Sequence, residues 1–410
     1  MTVVSGTRAE LANELDESRR RTEELFATLR PEYLYERPIA ERHRVIFYVG
    51  HLEAFDYIQI CREGLGRTST EPGLDSLFQA GIDPDSDHLP NDTPRDWPSP
   101  DQVAKYAAQA RAAVDSALEA APEEAVWMSL EHRLMHLETL AYMWHNFDYE
   151  KKVVPTALSG NGHSPEVIRL NERREISSGD AVLGKPRNNH FGWDNEYDEH
   201  RVFVPAFRIQ RYKVTNGEYL EFVRAGASMP HFWSERSGKL NYRGMFGEIP
   251  LPLNWPIYVR LREAEAYAKW LGKRLPTEAE YHRAAFATSG ETTRSFPWGE
   301  RTPNHSHGNF NFKRWDPEPV HAAPDSASAF GVEQLVGNGW EWTQTPFSPF
   351  DGFRPSPSYP GYSANFFDGQ HYVLKGASPR TARRLLRRSF RNWFRPEYPY
   401  VYAAFRCVDD

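Results

Sequence analysis

Leu11, Leu15, Thr22, Leu25, Phe26 and Leu29 recur at helical spacing and mark one face of a first helix. Residues 45–60 are apolar enough for a second, mostly buried helix, and 64–98, rich in Asp, Pro and Gly, read as a loop. Ser99-Pro100-Asp101-Gln102 then supplies an N-cap, a proline at the first helical position and a Gln at the capping-box position. A third helix with Val103, Tyr106, Ala110, Val114 and Ala117 on its apolar face follows, and 122–146 make the fourth. The pattern predicts a four-helix bundle over 1–155.

After Lys151 the texture changes. Nine of the twelve tryptophans lie beyond residue 150, and strong periodicity survives only in short pieces. Residues 263–271 read as a helix, 201–204 and 372–374 as short strands. Long aromatic-bearing loops need a large surrounding domain to satisfy their backbone, so 165–410 are expected to form one large domain. The boundary is expected between about 150 and 170, in 154–163.

Length and charge narrow the classes. At 410 residues the chain is long for one core, and a net charge of −7 with a pI near 6.1 argues against a nucleic-acid footprint. The arginine-rich run 380–395 is the local exception, and its default is a solvated or internally paired surface. Cys61 and Cys407 are too few for a disulfide framework, which fits a reducing cytoplasm. The start, 1–10, is polar, and no run is long enough to span a bilayer. No membrane or nucleic-acid partner is expected.

Chemistry enters with His132 and His136. An i, i+4 pair shares one helix face, and His51, in the second helix, can supply a third imidazole. A zinc-protease motif is excluded, because Arg133 stands where that motif needs Glu. Spacing alone leaves three options open: a chance pair, three histidines, or two histidines with Glu138 or Asp56.

Five motifs carry a resemblance. Tyr212-Lys-Val-Thr-Asn-Gly-Glu-Tyr219, Gly272-Lys-Arg-Leu-Pro-Thr-Glu-Ala-Glu280, Phe330-Gly-Val-Glu-Gln-Leu-Val-Gly-Asn-Gly-Trp-Glu-Trp-Thr343, Val373-Leu-Lys-Gly-Ala-Ser378 and Phe405-Arg-Cys407 stand in the order of the formylglycine-generating-enzyme-like (sulfatase-modifying) domain, an α+β fold related to C-type lectins. True formylglycine-generating enzymes place two cysteines after the fourth motif; 376–395 contain none. The helical third resembles the DinB-like bundle. This fusion resembles the ergothioneine-type sulfoxide synthases and their relatives, the selenoneine synthases.

That resemblance implies Fe(II) held by His51, His132 and His136, with positions left for an imidazole substrate, a sulfur or selenium donor and O2. It implies that Asn392 and Trp393 help hold histidine betaine, an indole face suiting a trimethylammonium cation. It also implies a tyrosine that gives a proton to reduced oxygen, for which Tyr359 and Tyr362 are the candidates. Two departures bear on the donor: mycobacterial-type members carry Gln before the last metal histidine and Asp after Asn-Trp, where this chain has Met135 and Phe394. Phe394 removes the carboxylate that would meet a donor ammonium, whereas Arg395, Tyr398 and Tyr400 suit a sugar. The leading expectation is therefore a selenoneine synthase with a selenosugar donor. A synthase using cysteine or γ-glutamylcysteine, and a non-catalytic metal-dependent binding protein, are the alternatives.

Overall fold

The computed structural model describes residues 8–81, 89–155, 172–188, 190–290 and 292–409. It divides into two compact units, Thr2–Ser159 and Gly160–Asp410. Residues 1–7, and the expected boundary stretch from 156 onwards, lie outside the described residues.

The first unit is helical: α1 (Arg8–Phe26), α2 (Val45–Tyr57), α3 (Pro72–Phe78), α4 (Pro100–Ala117) and α5 (Glu123–His145). α2 packs on α4, and α1 on α5. Twelve of the thirteen α2 residues are buried, so this helix has no polar face and runs through the centre. α4 begins as its sequence demands. The Ser99 hydroxyl accepts from the Gln102 amide at 3.3 Å, and the Gln102 side chain accepts from the Ser99 amide at 2.9 Å.

The segment 64–98 is not wholly loop. It carries α3, whose seven residues begin with Pro72-Gly73 and are too short to show a 3.6-residue period; only Asp75 and Phe78 are buried. α1 stops at Phe26, and Leu29 sits beyond it in a bridge to Lys152. Past Tyr57 the chain continues as a wider π-helical turn, Ile58–Glu63.

Among its described residues the second unit mixes short strands with three helices, α6 (Asn216–Arg224), α7 (Leu261–Trp270) and α8 (Glu278–Phe286). Its strands are β1 (Arg173–Ile176), β2 (Gly179–Leu183), β3 (His200–Val204), β4 (Phe207–Gln210), β5 (Trp233–Arg236), β6 (Lys239–Arg243), β7 (Glu248–Pro250), β8 (Gly339–Pro346), β9 (Tyr372–Ala377), β10 (Asn392–Phe394), β11 (Ala403–Ala404) and β12 (Val408–Asp409). They form four sheets, ordered β1-β4-β12, β10-β9-β8-β11, β2-β3 and β5-β6-β7. The expected helix is α7, and the two expected strands are β3 and β9.

The five motifs build this scaffold. Thr215 and Thr277 cap α6 and α8 through reciprocal bonds with Glu218 and Glu280. Gly376 on β9 has φ of 96°, and a Cβ there would lie 2.5 Å from the Leu335 carbonyl oxygen, so only glycine fits. Glu341 on β8 receives Lys213 Nζ at 2.8 Å and Arg406 Nε at 2.9 and 3.1 Å, all three side chains being fully buried. One carboxylate thus joins the first, third and fifth motifs.

Candidate metal centre and aromatic cluster

His132 and His136 project from one face of α5, and His51 from α2. His136 Nε2 lies 3.1 Å from His132 Nε2 and 3.2 Å from His51 Nε2. All three are buried, and among the described residues they are the group of metal-ligating side chains that converges on one point. Asp56 is instead engaged by Arg133 at 2.5 Å, and neither Asp56 nor Glu138 joins the cluster.

The tautomer of His51 follows from its partner. His51 Nδ1 lies 2.7 Å from the Phe78 carbonyl oxygen, which can only accept, so Nδ1 carries the hydrogen and Nε2 presents a bare lone pair. One N–H shared between two of the rings would leave the third nitrogen without a partner, whereas a cation between them satisfies all three. At right angles, metal–nitrogen bonds of roughly 2.1 Å give nitrogens about 3.0 Å apart, close to both observed separations. The residues present therefore fit a metal ion.

Burial keeps the imidazoles in the neutral, ligating form. It pushes His51 down to about 4, and it lowers His132 and His136 well below the usual histidine range, their neighbouring imidazoles adding to the effect. Phe55 stacks on His132 with centroids 3.5 Å apart, and Phe47 on His51 at 4.9 Å. Phe47, His51 and Phe55 stand four residues apart, so the sequence itself carries the spacing that puts these rings on one face of α2. The Phe78 carbonyl had no comparable signal.

In the second unit, Trp393 on β10 stacks on Phe347 at 4.2 Å, meets Tyr362 edge-on at 5.4 Å and has Phe366 at 5.5 Å. Tyr362 in turn stacks on Trp193 at 4.0 Å, with Tyr359 one ring further out at 5.7 Å. The loop is anchored by Ser363, whose hydroxyl donates to Asp194 and accepts from Asn195 at 2.9 Å. Arg391 fixes the start of β10 through Glu278, with contacts of 3.0 and 3.1 Å. Trp193, Phe347 and Phe366 carried no motif and were not anticipated.

Strand alternation separates the remaining candidates. Phe394 leaves the opposite side of β10 from Trp393 and stacks on Tyr398 at 5.2 Å, and Tyr398 meets Tyr400 edge-on. The Asn392 side-chain oxygen accepts from the Trp393 amide at 2.9 Å, Arg395 is exposed, and Met135 is half-buried between His132 and His136. Within the arginine run, Arg387, Arg388 and Arg391 pair with Glu196, Glu199 and Glu278, while Arg380 lies over Trp315 at 4.6 Å. Among the described residues no helix is long and apolar enough to cross a membrane.

Residues 14–148 match the DinB superfamily, and 164–410 match the sulfatase-modifying factor enzyme 1-like domain. A hercynine oxygenase of Mycolicibacterium thermoresistibile is 32% identical, covering 98% of this chain and 95% of that protein. The hercynine oxygenase of Mycobacterium tuberculosis is 40% identical over 53% of this chain and 56% of its own length. Ergothioneine biosynthesis protein 1 of Neurospora crassa is 27% identical over 92% of this chain, which spans 55% of that longer protein. With both domains matched in order and one relative aligned almost end to end, the chain belongs to the hercynine oxygenase family, a DinB-superfamily domain joined to a sulfatase-modifying factor enzyme 1-like domain.

Proposed function

We propose that this protein is an O2-dependent non-haem Fe(II) enzyme that joins selenium, delivered by a selenosugar, to C2 of the imidazole of histidine betaine, and that it works in the cytoplasm. The observation that carries the metal part is the convergence of three buried imidazole Nε2 atoms, one of them fixed as a lone-pair donor. The relatives named hercynine oxygenase support histidine betaine as substrate. Iron held by His51, His132 and His136 would supply O2 and substrate binding with redox chemistry.

The other roles fall to side chains. Joining C2 to the donor selenium breaks C2–H and Se–H, forms C2–Se and releases two electrons and two protons; O2 takes the electrons, and the reduced oxygen must take up protons to reach the hydrogen peroxide level. Tyr362 is assigned as their source because its ring abuts Trp393, with Tyr359 one ring removed. Trp393 offers the trimethylammonium group an indole face, a contact worth about 0.5–2 kcal/mol. Phe47 and Phe55 shield His51 and His132. Phe394 on Tyr398 presents aromatic surface where thiol-using relatives carry a carboxylate, which favours a sugar-borne donor over an amino-acid thiol.

The second reading, a sulfur-transferring synthase, is favoured by the relative named ergothioneine biosynthesis protein 1. A competition assay with histidine betaine, O2 and equal amounts of selenosugar, cysteine and γ-glutamylcysteine decides. The selenosugar is expected to be consumed first, and a kinetic preference for either thiol overturns that choice. Metal-dependent binding without O2 consumption would instead show a non-catalytic binding protein.

A further inference from the structure

The proposed function leaves α3 without a task, although α3 carries the carbonyl that His51 touches. Phe78 is its last residue, in the turn where helix carbonyls lack partners of their own. Two contacts set its height. On one side the face of the Phe78 ring lies against the backbone of α2: a Cβ at Gly50 would sit over the ring, 2.5 Å from each of Cε1, Cε2 and Cζ. On the other, the Tyr106 hydroxyl of α4 donates to Asp75 Oδ1 at 2.6 Å. Asp75 is buried and its other oxygen, Oδ2, has no partner among the described residues, so this bond anchors the carboxylate.

We propose that α3 is a positioning element for His51: the Tyr106–Asp75 bond and the Phe78–Gly50 contact hold the Phe78 carbonyl where it selects the Nδ1–H form and turns Nε2 towards His132 and His136. This rests on reading the three histidines as metal ligands. The physical reason is simple. The other tautomer would aim an N–H at the cation position, and a ring without the carbonyl is free to adopt it or to rotate. Tyr106, Asp75 and Gly50 thereby act on metal affinity through a backbone atom, without touching the ion.

The test uses the full-length protein and Co(II) as a spectroscopic stand-in, read by its visible absorption on titration and by the exchangeable, paramagnetically shifted ring N–H signals. Tyr106→Phe, Asp75→Leu and Gly50→Ala are each expected to weaken Co(II) binding by about 10-fold or more, the usual cost of losing a ligand-orienting partner, and to speed solvent exchange of the His51 signal. Asp75→Asn, whose amide oxygen still accepts from Tyr106, is expected to keep parental affinity and exchange. His51→Ala separates the two layers. If it binds Co(II) like the parent, the ligand assignment itself fails. If it loses Co(II) while Tyr106→Phe, Asp75→Leu and Gly50→Ala keep the parental affinity and exchange rate, the role of α3 is overturned. Tyr106→Phe removes a single oxygen, so the result does not depend on Gly50→Ala folding.

Discussion

Glu341→Gln isolates the charge cluster that joins three motifs. Glutamine keeps the shape of the side chain, but Lys213 and Arg406 then share a fully buried site without an anion. Removing one partner of a buried ion pair costs about 3–5 kcal/mol. Lys213 can relieve part of this. Burial already pushes it down to about 8, and without the carboxylate that raises it, it falls further. A lysine with a depressed folded value leaves the unfolded chain binding more protons, so stability rises with pH across the gap between the two values. In the parent that gap opens near pH 8; in the variant it opens lower. The variant therefore recovers at most about 1.4 kcal/mol of its deficit between pH 7 and pH 9. Arg406 stays charged throughout, so the rest persists. Urea unfolding followed by tryptophan emission reads this, since nine of the twelve tryptophans lie in the second unit and Trp340 and Trp342 flank the site. With an m-value of roughly 2–3 kcal/mol/M, the midpoint should fall by about 1–2 M at pH 7. A fall below about 0.3 M, or a deficit that widens towards pH 9, would refute the reasoning.

Three further outcomes are expected. Metal at 100 times its dissociation constant should stabilise the parent by about 2.7 kcal/mol in thermal unfolding, and His136→Ala should abolish that gain; an equal gain in the variant removes His136 from the ligand set. Trp393→Ala should weaken histidine betaine roughly 2- to 30-fold and narrow its advantage over unmethylated histidine, measured by calorimetric titration, with an unchanged affinity ratio counting against the indole contact. Tyr362→Phe should slow product formation about 10²-fold or more, or divert the reaction to donor oxidation, while Tyr359→Phe stays near the parent; product analysis showing the reverse order would exchange their roles.

How much was legible depended on the length of each element. The start of α4 could be read to the residue because its capping box is local, and its buried face because its five apolar positions are periodic. α3 could not, since seven residues opening on Pro-Gly carry no period, and the strands of the second unit, two to eight residues long, are defined by distant partners. The histidines stood out because helical spacing brings an i, i+4 pair onto one face. What orients His51 did not, because a backbone carbonyl has no letter in the sequence. The opposite directions of Trp393 and Phe394 follow from strand alternation, but only once β10 is known to be a strand.

β10 has consequences for how this family diversifies. Among the described residues it pairs on one side only, with β9, through three residues whose side chains are half-buried. A residue on such a margin can be exchanged without emptying a core or orphaning a charge, unlike Glu341. A lineage can therefore trade a carboxylate for a phenyl ring at position 394 at little risk to the fold. Sequences sharing all five motifs can then differ along this edge strand while keeping the same scaffold.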